Sequence, residues 1–437
     1  MTGEELKIHR AEILHFLADP AEEGDADSYE YFPDGLLILK NGRVESVGPA
    51  RELLPDLPAE LEVVHHRDCL ILPGFVDCHV HYPQTEMVAA YGEQLLEWLE
   101  TYTFPTEREF ADADKARKVA EIFLDELLRN GTTTALAIAT VHKESVDAFF
   151  TAARTRRMRM ICGKVLMDRN APEYLTDTPE SGYRQSKELI ERWHGKGRLQ
   201  YAVTPRFAPT CSDAQLTKAG QLLREHPDLY LHTHLAENTD EVKWVKELFP
   251  QCSGYLDVYD HFGLLGKRSI FAHCIHLSDA EFKLLHQSGS GIAFCPTSNL
   301  FLGSGLFNLA KAEAEKVKVG LATDTGAGTS FSLLQTINEA YKTQQLQKHR
   351  LSPFRSYYLA TLGGARTLDL QDVIGSFQPG KEADFVVLDY RATPILSLRL
   401  ERCKHLSDRL FVLAMLGDDR AVKATYVMGK QAYKRNK

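Results

Sequence analysis

From Leu70 onward the chain alternates short apolar runs with longer segments in which apolar positions recur every three to four residues. That alternation is the mark of βαβ units and a parallel sheet. Eight runs can be counted, at 76–81, 132–140, 159–167, 199–207, 229–237, 269–274, 291–298 and 319–325. The segment 114–129 illustrates what lies between them: Ala116, Val119, Ala120, Phe123, Leu124, Leu127 and Leu128 fall near one helical face, and Asn130-Gly131 follows as a stop. Eight strand-helix units predict an α/β fold, a (β/α)8 TIM-type barrel whose reactive groups collect at the carboxyl ends of the strands.

The ends of the chain read differently. Leu36-Leu37-Ile38-Leu39-Lys40 and Val44-Glu45-Ser46-Val47 flank Asn41-Gly42-Arg43, a tight-turn signal between β runs. Behind the barrel, residues 375–388 read as a turn leading into a buried strand, and 422–427 with Gly429 open a second hairpin. The expected organisation is a small β-sandwich domain built from both termini, residues 1–70 and 371–437, with the barrel at 71–370 between them. His65 and His66, adjacent on a strand and so facing opposite ways, are expected to be structural.

Composition narrows the partners. With 51 Lys and Arg against 60 Asp and Glu, the net charge of −9 argues against nucleic acid or an anionic membrane as the main partner. No signal-type apolar core opens the chain and no run of about 18 apolar residues occurs, so a cytoplasmic protein is expected. The eight cysteines form no Cys-x-x-Cys and are expected to be reduced, small apolar filler.

Candidate chemistry gathers at the ends of the predicted strands. Strand one ends in His79-Val80-His81, two imidazoles on one face of a strand; strand five ends in His234-Leu235-Ala236-Glu237, strand six in His273, strand eight in Asp324. His79, His81, His234 and Asp324 together make three nitrogens and one carboxylate, a set suited to one Zn2+, with Fe2+ as the alternative. Glu237 is the candidate general acid/base, His273 the group beside the attacking oxygen, and Asp324 a proton acceptor as well as a ligand. His232 is expected to be a structural neighbour, and His142, His276 and His286 receive no role. Phosphate-cradling loops and the Gly-x-Ser-x-Gly elbow are absent. Residues 91–104 form an amphipathic stretch that either covers the pocket or packs in the core.

Taken together, these residues resemble the amidohydrolase superfamily and, within it, the guanine-deaminase family. The resemblance rests on Pro73-Gly74-Phe75-Val76-Asp77 with His79 and His81, on His234, His273 and Asp324, and on Pro379-Gly380-Lys381-Glu382-Ala383-Asp384. Longer strings carry the closer match: His81-Tyr82-Pro83-Gln84, the run from Leu96 to Pro105, Pro205-Arg206-Phe207-Ala208-Pro209-Thr210-Cys211, His234-Leu235-Ala236-Glu237-Asn238 and Pro296-Thr297-Ser298-Asn299-Leu300. The resemblance implies a homodimer with one zinc per subunit that hydrolyses guanine to xanthine and ammonia. It makes His79, His81, His234 and Asp324 the metal ligands, Glu237, His273 and Asp324 the catalytic groups, and Gln84, Arg206 and Phe207 the purine holders, with His234, His273 and Asp324 also facing the substrate. From residue chemistry alone, a guanidinium, a carboxamide and an aromatic ring suit guanine, yet Arg206, Gln84 and Phe207 each have an ordinary structural alternative. Where binuclear relatives carry a carboxylated lysine, strand four here ends in Thr204-Pro205-Arg206-Phe207, which implies a single metal.

Overall fold

A computed structural model of the chain describes residues 5–20, 25–58, 60–92 and 94–436. Strands β1 (Leu6–Phe16), β2 (Tyr29–Lys40), β3 (Arg43–Pro49) and β4 (Val63–Pro73) lie at the amino end. The β2–β3 connection turns on Asn41 (φ 54°) and Gly42 (φ 80°), the left-handed pair that a two-residue hairpin loop requires. β1 pairs antiparallel with β2 and parallel with β4.

The barrel follows as β5 (Phe75–His81), β6 (Thr132–Ile138), β7 (Arg159–Gly163), β8 (Val165–Leu166), β9 (Leu199–Pro205), β10 (Tyr230–Leu235), β11 (Ser269–His273), β12 (Gly291–Phe294) and β13 (Lys318–Leu321). Its hydrogen-bonded order runs β13-β12-β11-β10-β9-β7-β6-β5, all parallel, and the short β8 continues β7 beside β9. The eight apolar runs are thus the eight staves. The helix Ala113–Arg129 buries the seven residues that its periodicity picked out, and Asp112 caps it by accepting from the backbone N–H groups of Asp114 and Lys115.

Alternation along the staves sorts the core into two layers. Val76, Cys78, Leu136, Ile161, Ala202, Tyr230, Ile270, Ala293 and Cys295 fill the barrel interior, closed below by Leu368, Leu370 and Ile374. Their neighbours Ala135, Met160, Tyr201, Leu231, Phe271, Ile292 and Leu321 face the surrounding helices. All eight cysteines are free, and six of them are buried.

β14 (Phe385–Asp389), β15 (Val422–Val427) and β16 (Lys430–Lys434) complete the second sheet, in the order β16-β15-β14-β4-β1-β2-β3. It draws strands from both ends of the chain, because β14 runs antiparallel to β4. The chain leaves this sheet for the barrel at Gly74. A Cβ there would stand 2.1 Å from Thr133 Oγ1, so the close approach of sheet and barrel requires glycine.

A buried ion network ties the same two bodies together. Arg159 at the start of β7 donates two hydrogen bonds to Glu382, of 2.9 and 2.6 Å. Arg198 reaches Glu382 at 3.0 Å and also contacts Asp384. Removing one partner of such a group leaves uncompensated buried charge, which typically costs about 3–5 kcal/mol. Glu382→Ala is therefore expected to lower the unfolding free energy, read from denaturant titration, by on the order of 3 kcal/mol; an unchanged midpoint would show that Asp384 alone satisfies both guanidinium groups.

Candidate active site

The register of β5 against β6 slips between Asp77, which pairs with Ala135, and Val80, which pairs with Ala137. This bulge decides where the two histidines go. Val76 and Cys78 below it belong to the interior, and strict alternation from them would turn His79 and His81 outward; past the bulge it is Val80 that packs outward. His79 and His81 consequently enter the barrel mouth together, both buried.

Asp324 follows β13 and meets them there. Its Oδ1 lies 3.1 Å from His79 Nε2 and 3.5 Å from His81 Nε2, while His81 Nε2 is 3.1 Å from His234 Nε2. His234 Nδ1 is committed to the carbonyl of Arg206 at 2.6 Å, which leaves Nε2 as a free lone pair. His79 Nδ1 sits 2.6 Å from His232 Nε2, and His79 Nε2, buried beside Asp324 Oδ1, makes no well-aligned hydrogen bond among the described residues. Burial holds His79, His81 and His234 well below the usual imidazole value, so all three are neutral donors of lone pairs. Ligand atoms of His79, His81 and His234 lie within 4.8 Å of one another, as do those of His79, His273 and Asp324. Neutral imidazoles aimed at one another and at a carboxylate, with His79 Nε2 and His81 Nδ1 lacking a hydrogen bond among the described residues, fit a divalent cation of borderline softness.

Glu237 and His273 stand beside this cluster. His273 Nε2 is 3.3 Å from Glu237 Oε2 and 3.9 Å from Asp324 Oδ2, and its Nδ1 is 2.9 Å from Asn299 Oδ1. Burial pushes the Glu237 carboxyl up to about 7, with Asp324 and Glu241 adding to the rise and His273 opposing it. His273 moves the other way for its type: burial lowers it, but Glu237, Asp324 and the Asn299 contact prevail and hold it above the ordinary imidazole value. Four non-glycine residues here are left-handed, Ala236 (φ 50°), His273 (φ 70°), Cys274 (φ 54°) and Asp324 (φ 48°). Such conformations cost of order 1–3 kcal/mol each and persist where the surroundings impose them.

A cavity opens over the cluster. His81, His234, Glu237, His273 and Asp324 form its polar floor, and Gln84, Arg206 and Phe207 its wall. The stretch at 91–104 contributes Leu95, Trp98 and Leu99 to the roof, and those residues are also packed with Phe104, Ile138 and Met167, so covering and core packing are one and the same.

Every site residue expected from sequence lies at this mouth. Sequence reasoning missed others that hold them. Asn299, quoted only as part of a motif, supports His273, and Glu241 accepts from the backbone N–H groups of Glu237 and Asn238 at 2.8 and 3.1 Å, while His232, expected as a structural neighbour, is found beside His79. Ser304 donates to Glu237 Oε1 at 3.3 Å. Glu107, given no role from sequence, is 1% exposed and contacts both Gln84 and Arg206. The one available signal for Glu241 was its place three residues after Asn238, a helix-capping spacing.

Against known families, residues 70–432 match the amidohydrolase family. The chain belongs to the amidohydrolase family. Within that family, the guanine deaminase of Escherichia coli (strain K12) is 58% identical over 411 residues, 94% of each chain. The solved structure of E. coli guanine deaminase superposes with a TM-score of 0.96 at 56% identity, covering 98% of this chain and all of that one. A guanine deaminase from C. acetobutylicum, solved with guanine bound in its active site, gives 0.89 at 30% identity over 98% of this chain and all of that one. Members of this family generally use a divalent metal, and the His/Asp groups at this mouth have the chemistry to hold one.

The turn after Asp324 also constrains this mouth. Gly326 has φ +129°, and a Cβ on it would lie 2.1 Å from Gln84 Oε1. Gly326→Ala is expected to destabilise the fold by about 1–3 kcal/mol through backbone strain alone. Denaturant unfolding checks this, and a midpoint equal to that of the parent would mean the turn relaxes freely.

Proposed function

We infer that this chain is a guanine deaminase, converting guanine and water to xanthine and ammonia. The observation that carries the reading is the meeting of three imidazoles, Asp324 and the Glu237–His273 pair under a cavity walled by Gln84 and Arg206. The extended identity to guanine deaminases gives the substrate.

His79, His81, His234 and Asp324 would hold the metal, for which we assign zinc on the strength of the nitrogen-rich set. Bound there, the ion supplies a nucleophilic water at neutral pH. Around it the chain does the rest. Gln84, Arg206 and Phe207 hold the purine so that its C2 faces the floor. Glu237, with a carboxyl near 7, takes a proton from the attacking water and gives it to ring N3. His273, whose imidazole Glu237 and Asp324 hold above its ordinary value, hydrogen-bonds the attacking oxygen and stabilises the tetrahedral centre at C2. Asp324 receives the second proton, which passes to the 2-amino group as ammonia leaves. The apolar roof of Leu95, Trp98 and Leu99 excludes bulk water. The resemblance further supports a homodimer, a cytoplasmic location and a catalytic barrel domain at 71–370.

Ammonia release from guanine, measured beside adenine, cytosine, 8-oxoguanine and a pterin, tests the assignment. Guanine is expected to be turned over with xanthine as product, and treatment with a chelator to abolish release until metal is restored. Turnover of another ring with silence on guanine would discard the substrate. Glu237→Gln should retain metal by elemental analysis and lose roughly 10²–10⁴-fold in kcat; near-normal activity would remove Glu237 from the proton path.

A further inference from the structure

Outside the residues assigned to the metal and the base, one buried carboxylate touches two of the base-holding groups at once. Glu107 Oε2 accepts from Arg206 Nη1 at 2.6 Å, and Glu107 Oε1 accepts from Gln84 Nε2 at 3.1 Å. The three side chains are sealed from solvent: Glu107 is 1%, Gln84 2% and Arg206 2% exposed. Glu107 does not itself line the cavity, whereas Gln84 and Arg206 do. It belongs to the short helix Phe104–Arg108, where Phe104, three residues earlier and on the same face, lies 5.5 Å beneath the Arg206 guanidinium. One turn of helix therefore holds the arginine from two sides.

We propose that Glu107 is a positioning residue that sets the hydrogen-bond polarity of the guanine-reading pair Gln84 and Arg206, and so the enzyme's preference for a 6-oxo purine. The proposal rests on the reading of Gln84 and Arg206 as base holders. A carboxylate can only accept, so the end of the Gln84 amide that faces Glu107 is its NH2, and the carbonyl oxygen is the acceptor Gln84 has to offer. Gly326 packs against that oxygen, where a Cβ would lie 2.1 Å from it, and the hydrogen bond that orients the amide is the one to Glu107. Arg206, fixed through Nη1, keeps its remaining N–H groups as donors. An acceptor and a set of donors complement the N1–H and O6 of guanine. Adenine reverses both, offering an acceptor at N1 and an amino group at C6. A site built around fixed polar partners rejects ligands that leave them unpaired far more strongly than an apolar pocket can.

The test is Glu107→Gln in the metal-loaded enzyme, with hypoxanthine and 2-aminopurine as competitive ligands. Hypoxanthine keeps O6 and N1–H, and 2-aminopurine lacks both. A glutamine at this position must turn its NH2 toward Gln84 or Arg206, so guanine KM and the hypoxanthine inhibition constant are expected to rise together by ~10-fold or more, with kcat and the 2-aminopurine constant each moving by less than ~3-fold. The double variant E107Q/Q84E restores an amide-carboxylate pair with the acceptor still offered to the base, and should recover guanine KM to within ~3-fold of the parent. Equal weakening of all three ligands, a fall in kcat at constant KM, or a double variant worse than E107Q would overturn the proposal. Q84A and R206A separate the underlying reading: if neither raises guanine KM, the base-holder assignment itself is wrong. Should E107Q lose metal or melt early, Glu107→Asp replaces it. That variant keeps a carboxylate, so KM should rise while the hypoxanthine to 2-aminopurine ratio holds, and collapse of the ratio would count against Glu107.

Discussion

The seam between the first and last staves of the barrel is the constraint on which the site depends. The Asp324 N–H donates to the His79 carbonyl at 3.0 Å, and Asp77 accepts from the Thr323 N–H at 3.1 Å and from its hydroxyl. Burial drives the Asp77 carboxyl up to about 7 against those hydrogen bonds, a measure of how completely the seam is closed off from water. Because the bonds lock the end of β5 to the residues after β13, the His79–His81 pair and Asp324 reach one another although some 240 residues separate them in the chain. Cut at that point, the barrel would lose its closure and the cluster together.

Holding such a cluster opposes stability locally. Imidazoles lie ring to ring, with His81 and His234 centroids 5.2 Å apart and His234 and His273 5.5 Å apart, and left-handed backbone occurs at Ala236, His273, Cys274 and Asp324. The compensation lies elsewhere in the fold: the filled interior beneath the mouth, the helices packed on the outer layer, and the Arg159–Glu382–Arg198 network that fastens the second sheet to the starts of β7 and β9. The roof has a double part in this. Leu95, Trp98 and Leu99 bury apolar surface and at the same time lower the polarity of the cavity, the surroundings in which Glu237 is pushed to about 7.

Much of this was legible from residue order. The staves announced themselves because a parallel strand buried on both faces reads as a continuous apolar run, and the helix Ala113–Arg129 because one face repeats every 3.6 residues. The ligand candidates His79, His81, His234 and Asp324 could be named because a barrel gathers functional groups at the ends of its strands, so position in the pattern already implied position in space. Gln84, Arg206 and Phe207 needed the longer motif strings, since each side chain is ordinary when taken singly.

What sequence could not supply were features that exist only between elements. The one-residue slip in β5 has no signature in the string Val76-Asp77-Cys78-His79, yet it decides that both histidines face the barrel mouth rather than the outer helices. The supporting contacts of His232, Asn299, Glu241 and Glu107 are of the same kind, because a carboxylate on a charged helix shows its burial only once another element is laid over it. Periodicity and residue chemistry determined the staves, the barrel and the names of the reactive groups, since these follow from local backbone geometry. Register, tautomers, the shift at Glu237 and the clamp on Arg206 were decided by tertiary structure alone, because hydrogen-bond partners and desolvation depend on distances between segments far apart in the chain.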